Sequence, residues 1–205
     1  MPERELTATR ITLLELGDER RMVREGYELL DEKRMLLAAE ILAGLRRYRG
    51  LRAEWLEQLA AAREALAAAV RRHGFDSLTV HPAERGGIAR LDVQPRSLLG
   101  LTLVEARLET ADAAAEFEPA ESSPEARRCA EAFRELARTA AAIAGLSASL
   151  RIIARDYVRT ERRARALENV ILPEIDADIR LVDSQLEAID QEESIRVREA
   201  RGRAG

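Results

Sequence analysis

The chain has 205 residues, of which 46% are apolar, 34% charged and 3% aromatic, and its formal net charge is −4. The apolar share is mostly alanine and leucine, which excludes a core of large aromatic and branched side chains around one centre, and it is too high for a disordered chain. The acidic balance argues against nucleic-acid partners, the lone Cys129 cannot form an internal disulfide, and no stretch approaches about 18 uncharged apolar residues, so neither a membrane span nor direct membrane insertion is expected.

Residues 1–73 are expected to form an N-terminal coiled-coil helix. Apolar residues recur at alternating steps of four and three through Val23, Tyr27, Leu30, Arg34, Leu37, Ile41, Gly44, Tyr48, Leu51, Trp55, Gln58, Ala62, Ala65 and Ala69. Only Arg34 and Gln58 are polar in that series. The mean period of 3.5 keeps one stripe facing a partner helix and imposes a left-handed supercoil. Leu29, Leu36, Leu42, Leu45, Leu56, Leu59 and Leu66 are expected to widen the stripe. Thr12 with Glu15 makes a capping box, and Thr7 or Thr9 can equally start the helix. About 60 residues at ~1.5 Å each span ~90 Å, a length that cannot bury its stripe without a second helix. Gly17, Gly26 and Gly44 are expected to permit close helix approach.

Residues 74–122 are expected to form a β-rich knob and a connection. Ser77–His81 and Ile88–Gln94 alternate apolar and polar residues as half-buried strands do, with Gly86-Gly87 as the turn between them. Leu101–Leu108 fits a further strand. The Ala-, Glu- and Pro-rich run from Thr110 to Ser123 reads as connection.

Residues 123–200 are expected to form the C-terminal coiled-coil helix, and 201–205 a basic tail. Ser122-Ser123-Pro124-Glu125 is a helix start, with a serine cap, proline in the first turn and an acid at the positive end. The four-three pattern runs through Cys129, Phe133, Leu136, Ala140, Ile143, Ser147, Leu150, Ala154 and Tyr157. It blurs at Glu161 and resumes at Ala164, Leu167, Ile171, Ile175, Val182, Leu186 and Ile189. The step from Ile171 to Ile175 to Ile179 is a phase shift, and Pro173 predicts a kink but no stop. The expected fold is therefore all-α dominated. It is a long antiparallel two-helix left-handed coiled coil with a small β-hairpin-containing knob at the turn, and a C-terminal helix that overhangs.

No catalytic residue, cofactor site or metal site is expected. His73 lies at a helix end, where a cation favours the carbonyl terminus, and His81 precedes Pro82 in a turn. There is no phosphate loop, cysteine–histidine cluster or serine elbow. Cys129 lies on the apolar stripe and reads as a small hydrophobe. The charges are more informative. From Arg151 to Arg165 there are six arginines against Asp156 and Glu161. From Glu168 to Glu193 there are nine acids against Arg180 alone, and then come Arg196, Arg198, Arg201 and Arg203 against Glu199. Scattered charges mark a solvated helix face, but blocks of one sign repel themselves and suit complementary partners.

Two blocks carry a family resemblance. The first contains Thr9-Arg10, Leu13-Leu14, Gly26, Leu29-Leu30 and Lys33-Arg34. The second contains Thr160, Arg162-Arg163, Ala166-Leu167-Glu168 and Pro173. In this order and separation they resemble the D subunit of the vacuolar/archaeal-type (V-type/A-type) rotary ATPases, the central shaft of those machines. Arg165 departs from the family's usual asparagine, and the tail after Glu193 lacks its aromatic and lysine character. The resemblance implies a non-catalytic rotor in a proton- or sodium-translocating ATPase, cytoplasmic and peripheral to the membrane. The implied partners are the catalytic and regulatory A and B subunits of a hexamer, the small F subunit of the stalk, and a funnel-like subunit coupling to the membrane ring, which the knob is expected to face. On that basis Arg10, Arg20, Arg21, Arg159, Arg162, Arg163, Arg165, Arg196 and Arg198 are candidate hexamer contacts. The alternative for each is an ion pair with an acid of the opposite helix. Two other classes fit the sequence less well. An export-ATPase stalk is usually shorter and all-helical, and a scaffold coiled coil needs a continuous basic face, which the acidic block interrupts.

Overall fold

The computed structural model describes residues 7–75, 90–109 and 123–203. Helix α1 runs Arg10–His73 and helix α2 Pro124–Ala166; a five-residue π turn, Leu167–Ile171, joins α2 to helix α3, Leu172–Arg203. Strands β1, Arg90–Leu98, and β2, Leu101–Glu109, form one antiparallel sheet. The expected strand Ser77–His81 and the Gly86-Gly87 turn, with His81, lie outside the described residues.

The helix ends follow from local chemistry. Of the candidate threonines, Thr9 caps α1: its Oγ1 accepts the Thr12 backbone N–H at 3.1 Å. Arg71, Arg72 and His73 occupy the last turn, where cations favour the exposed carbonyls, and Gly74 leaves the helix at φ 73°. Ser123 caps α2 through the Ala126 N–H at 3.2 Å. Every member of the predicted α1 series from Val23 to Ala69 is buried or half-buried, with Leu37, Ala62 and Ala69 at 0% exposure. Arg34 is tolerated in the seam because it pairs with Asp31, and Gln58 because it donates to Glu54 at 3.0 Å. The flanking leucines do not widen the seam. Leu29, Leu36, Leu42, Leu45, Leu56 and Leu66 are exposed and only Leu59 is half-buried, because one opposing helix covers a narrow stripe.

The chain forms two compact units. The first comprises residues 1–36 and 157–205. Its core is Leu16, Thr160, Ala164, Ile175 and Val182. Arg20 meets Asp176 at 2.7 Å and Arg10 meets Asp190 at 3.6 Å, so each step up α1 is matched by a step down α3. The segments are antiparallel. The helix passes Pro173 without stopping, and the π turn upstream explains the phase shift. The seam through Ile153, Tyr157, Thr160, Ala164, Leu167 and Ile171 would next fall on Glu174, Asp178 and Leu181. The buried residues are instead Ile175 and Val182, one residue later. A π turn carries one residue more than an α turn, and Leu172 N–H returns to the Leu167 carbonyl across it.

The second unit comprises residues 37–156. Its helical segments are also antiparallel. Arg72 donates to both Glu125 carboxylate oxygens at 2.9 and 3.0 Å, His73 hydrogen-bonds Ser123 at 2.5 Å, and Gly44 faces Leu150. A Cβ on Gly44 would lie 2.6 Å from a Leu150 methyl. By contrast Gly26 has only an ordinary contact at 3.8 Å with Leu167, and Gly17 faces open space, so close approach is required at Gly44 alone of the three.

The β-hairpin belongs to the second unit. It is made by Arg90–Leu98 with Leu101–Glu109 around Leu99-Gly100, whose φ values of 50° and 80° are those of a tight primed turn. β1 therefore runs four residues past the expected Gln94, and Pro95 is accommodated on an exposed strand lacking a second described neighbour. The hairpin is seated roughly 30 Å along α2 from its start. There the Ser149 hydroxyl accepts the Val104 N–H and donates to the Val104 carbonyl, both at 2.8 Å. Arg96 reaches Glu40 at 3.4 Å. This second neighbour shifts the burial on α2 from the predicted stripe. Ala140 and Ala154 are exposed, while Thr139, Ser149 and Ile153 are buried. Cys129 is half-buried, and burial pushes its thiol up from its ordinary value. By length and composition alone, one 18-residue window within Pro124–Arg201 is apolar enough to cross a bilayer, a test that the core helix of a soluble protein also passes.

Candidate partner-binding surface

The nine arginines singled out by charge all fall in the first unit, on the first turns of α1, the end of α2 and the end of α3. Their environments differ. Arg20 forms the short cross-helix pair with Asp176, both side chains being about half exposed. Arg10 reaches Asp190, a looser cross-helix pair. Arg21, Arg165 and Arg196 turn to acids on their own helices, Asp18 at 2.7 Å, Glu161 at 2.6 Å and Glu192 at 3.6 Å. Arg159, Arg162, Arg163 and Arg198 are exposed. Exposed pairs of this kind are each worth less than ~1 kcal/mol, so they hold side chains in place without committing them.

Arg10 contacts Asp190, six residues before Arg196, a rise of roughly 9 Å. The first turn of α1 is thus near the stretch of α3 that leads into Arg196 and Arg198. Every described residue of α3 after Leu186 is exposed, including Ile189, Ile195 and Val197. Apolar residues at a helix end with no covering neighbour among the described residues are a contact surface in waiting.

A second surface is not evident from the charges. Ile11, Met22, Leu29 and Leu36 are exposed on α1 at 69%, 72%, 67% and 48%. Steps of eleven and seven residues keep them on one side of the helix, apart from the seam. The sequence signal is present, since Leu29 and Leu36 repeat at a heptad beside the main series. It points to the core only because periodicity alone does not tell a wide seam from two stripes.

The two sequence blocks converge in this unit. Leu167 lies against Gly26. Next to them the Tyr27 phenol is held above its ordinary value, first by burial and then by the negative charge of the Glu168 carboxylate. Thr160 is buried at 3% exposure, one turn before the equally buried Ala164. Of the motif positions, Gly26 and Leu167 therefore share one level of the helix pair, and the others are spread along it.

An antiparallel helix pair of this kind, with a narrow apolar seam and charged and apolar outer faces, defines a coiled-coil protein. The chain belongs to the ATP synthase D subunit family, whose model matches residues 12–202. It is similar to the A-type ATP synthase D subunit of Methanopyrus kandleri, 26% identical over 196 residues that cover 95% of this chain and 84% of the relative. It is also similar to the V-type ATP synthase D subunit of Thermus thermophilus, 28% identical over 202 residues, covering 97% and 89%. The V-type D subunit of Thermotoga neapolitana is 23% identical over 190 residues, covering 93% and 94%.

Proposed function

We propose that this chain is the central-stalk rotor of a V/A-type rotary ATPase, carrying torque between the catalytic hexamer and the membrane ion-translocating ring while hydrolysing nothing itself. The observation that carries this reading is the antiparallel helix pair within the first unit, which bears both of the family's blocks along its length. A two-helix cross-section has no threefold symmetry, so it offers each of three catalytic interfaces a different face. An interface that binds one face better is biased toward one nucleotide state. By reciprocity a change of nucleotide state at that interface biases the angle of the shaft.

The arginines and the apolar stripe divide the contacts. The end of α3, with Arg196 and Arg198, and Arg10 with Arg20 and Arg21 meet the A and B subunits. Arg159, Arg162, Arg163 and Arg165 meet the hexamer's lower loops. The small F subunit of the stalk binds along the shaft, and the funnel-like subunit couples it to the ring, with the knob toward the membrane. The chain is cytoplasmic and peripheral to the membrane.

Truncation after Asp190 tests the reading. It removes only exposed described residues, so the melting temperature is expected to stay within about 2 °C. The assembled complex should still hydrolyse ATP, with ion pumping per ATP falling clearly below that of the full chain. Unchanged coupling in a complex that contains the truncated chain refutes the tip assignment. Light scattering that shows a self-associating dimer, and no 1:1 complex with a small partner, favours a scaffold instead.

A further inference from the structure

The π turn at Leu167–Ile171 stands out in a helical run that is otherwise α from Pro124 to Arg203. Four observations bear on what it does. None of its five residues is fully buried and only Leu167 and Ile171 are half-buried, so side-chain packing clamps it less than the turns on either side. The helix opposite offers Gly26, with a single carbon contact to Leu167 at 3.8 Å from the position a Cβ would take. The polar neighbours across the gap there are the Tyr27 phenol and the Glu168 carboxylate. Pro173 has no N–H to return to the Asn169 carbonyl, so closing the turn to α geometry regains fewer backbone bonds than it would elsewhere.

Below and above, the helices are tied more firmly. Arg20 and Asp176 meet at 2.7 Å on one side, and Thr160 and Ala164 are buried on the other. The seam on either side of the π turn is in phase only because the turn absorbs one extra residue. Glu174 and Leu181 would otherwise face α1 in place of Ile175 and Val182.

We infer that the π turn is a torsional joint, the place where the helix pair of the first unit yields to twist while Ile175 and Val182 keep α3 in register with α1. The joint rests on the shaft reading for its use but not for its existence. On that reading torque twists the pair most where the packing between its helices is weakest, and a surplus residue in a loosely packed turn, bracketed by buried Ala164 and Ile175, is such a place.

The counter-intuitive consequence is that a residue can be removed here without harm. Deleting Val170 restores unbroken four-three spacing from Ile153 to Val182 in plain α geometry. The full-length chain lacking Val170 is expected to keep its helix content and melt no lower than the intact chain. In the intact chain the amides of residues 169–172 should exchange with solvent about tenfold or more faster than those of 161–165, and the deletion should abolish that difference. Pro173→Ala, which returns the missing N–H without changing length, should slow the same exchange partway. A deletion variant that unfolds or melts several degrees lower overturns the phase argument, and so does equal exchange across 161–172 in the intact chain.

In the reconstituted ATPase, with the ring held and a probe on the hexamer, the resting angular spread should narrow in the variant lacking Val170. Rotation with the same spread for both chains overturns the joint alone. No rotation driven through the intact chain overturns the shaft reading instead.

Discussion

Gly145→Ala is the sharpest test of how the hairpin is held. In an ordinary helix interior the change is favourable by up to ~1 kcal/mol, because glycine gives up more backbone freedom on folding. Here the new methyl would stand 2.6 Å from the Ala106 backbone nitrogen and 2.9 Å from the Ala106 Cβ. Neither is the end of a flexible side chain, so β2 itself must move away from α2. The movement strains the two 2.8 Å hydrogen bonds between Ser149 and Val104 one turn along. Losing both costs about 2 kcal/mol, and the helix gain offsets roughly half, leaving a net loss of about 1 kcal/mol. For a chain of this size that is a fall in melting temperature of roughly 2–4 °C. Gly50→Ala is the control, since nothing lies within 4 Å of its Cβ position, and it should raise the melting temperature by roughly 1–3 °C. Gly44→Ala should fall between, because the atom it meets is a Leu150 methyl that can rotate. Hydrogen exchange should show the Val104 amide losing protection in Gly145→Ala only. If Gly145→Ala melts with Gly50→Ala and Val104 stays protected, the hairpin is not seated by this glycine and the reasoning is wrong.

Ser123→Ala removes the cap of α2 and the partner of His73 together, so a loss of about 1–2 kcal/mol is expected in urea melts, with faster exchange at Ala126. The Glu125 carboxyl is held below its ordinary value of 4.5, first by its own backbone N–H and then by Arg72. A depressed carboxylate stabilises the fold above its unfolded value and loses that contribution as the pH falls through the folded one. Stability at the α1–α2 end should therefore be flat near neutrality and decline below about pH 4.5, and Glu125→Gln should remove that part of the decline in melts taken between pH 3 and 7. A variant that declines as steeply as the parent refutes the linkage.

What the sequence discloses follows from how local each cause is. The α1 seam is legible residue by residue because a single opposing helix imposes a single period, and every residue from Val23 to Ala69 in that series is at least half-buried. The α2 seam is legible only in part. Ser149 and Gly145 are buried by a hairpin far away in sequence, and no periodicity announces a second neighbour. Tertiary packing overrides the pattern there. The hairpin turn escapes the sequence for a related reason. Leu99-Gly100 takes the primed conformation with leucine where asparagine or glycine is usual, so the residue types carry half a signal. The phase shift near Pro173 is visible as an irregular step, but its physical form, one residue stored in a π turn, needs the backbone.

The candidate surface is legible in composition but not in pairing, and the reason is geometric. An arginine side chain can reach an acid three or four residues away on its own helix or one across the seam, and these choices differ by less than ~1 kcal/mol at exposed positions. Arg20 has no acid three or four residues away on its own helix and pairs with Asp176 across the seam, while Arg21 one residue on finds Asp18. Which of the two lies toward the seam is decided by about 100° of helix rotation, and hence by the core residues. The buried Leu16 and Ile175 therefore aim Arg20 inward to its partner and leave Arg21 outward. Charge at the surface is thus set by the apolar seam beneath it. The π turn, by fixing which residues of α3 enter that seam, also fixes which way Arg196 and Arg198 point.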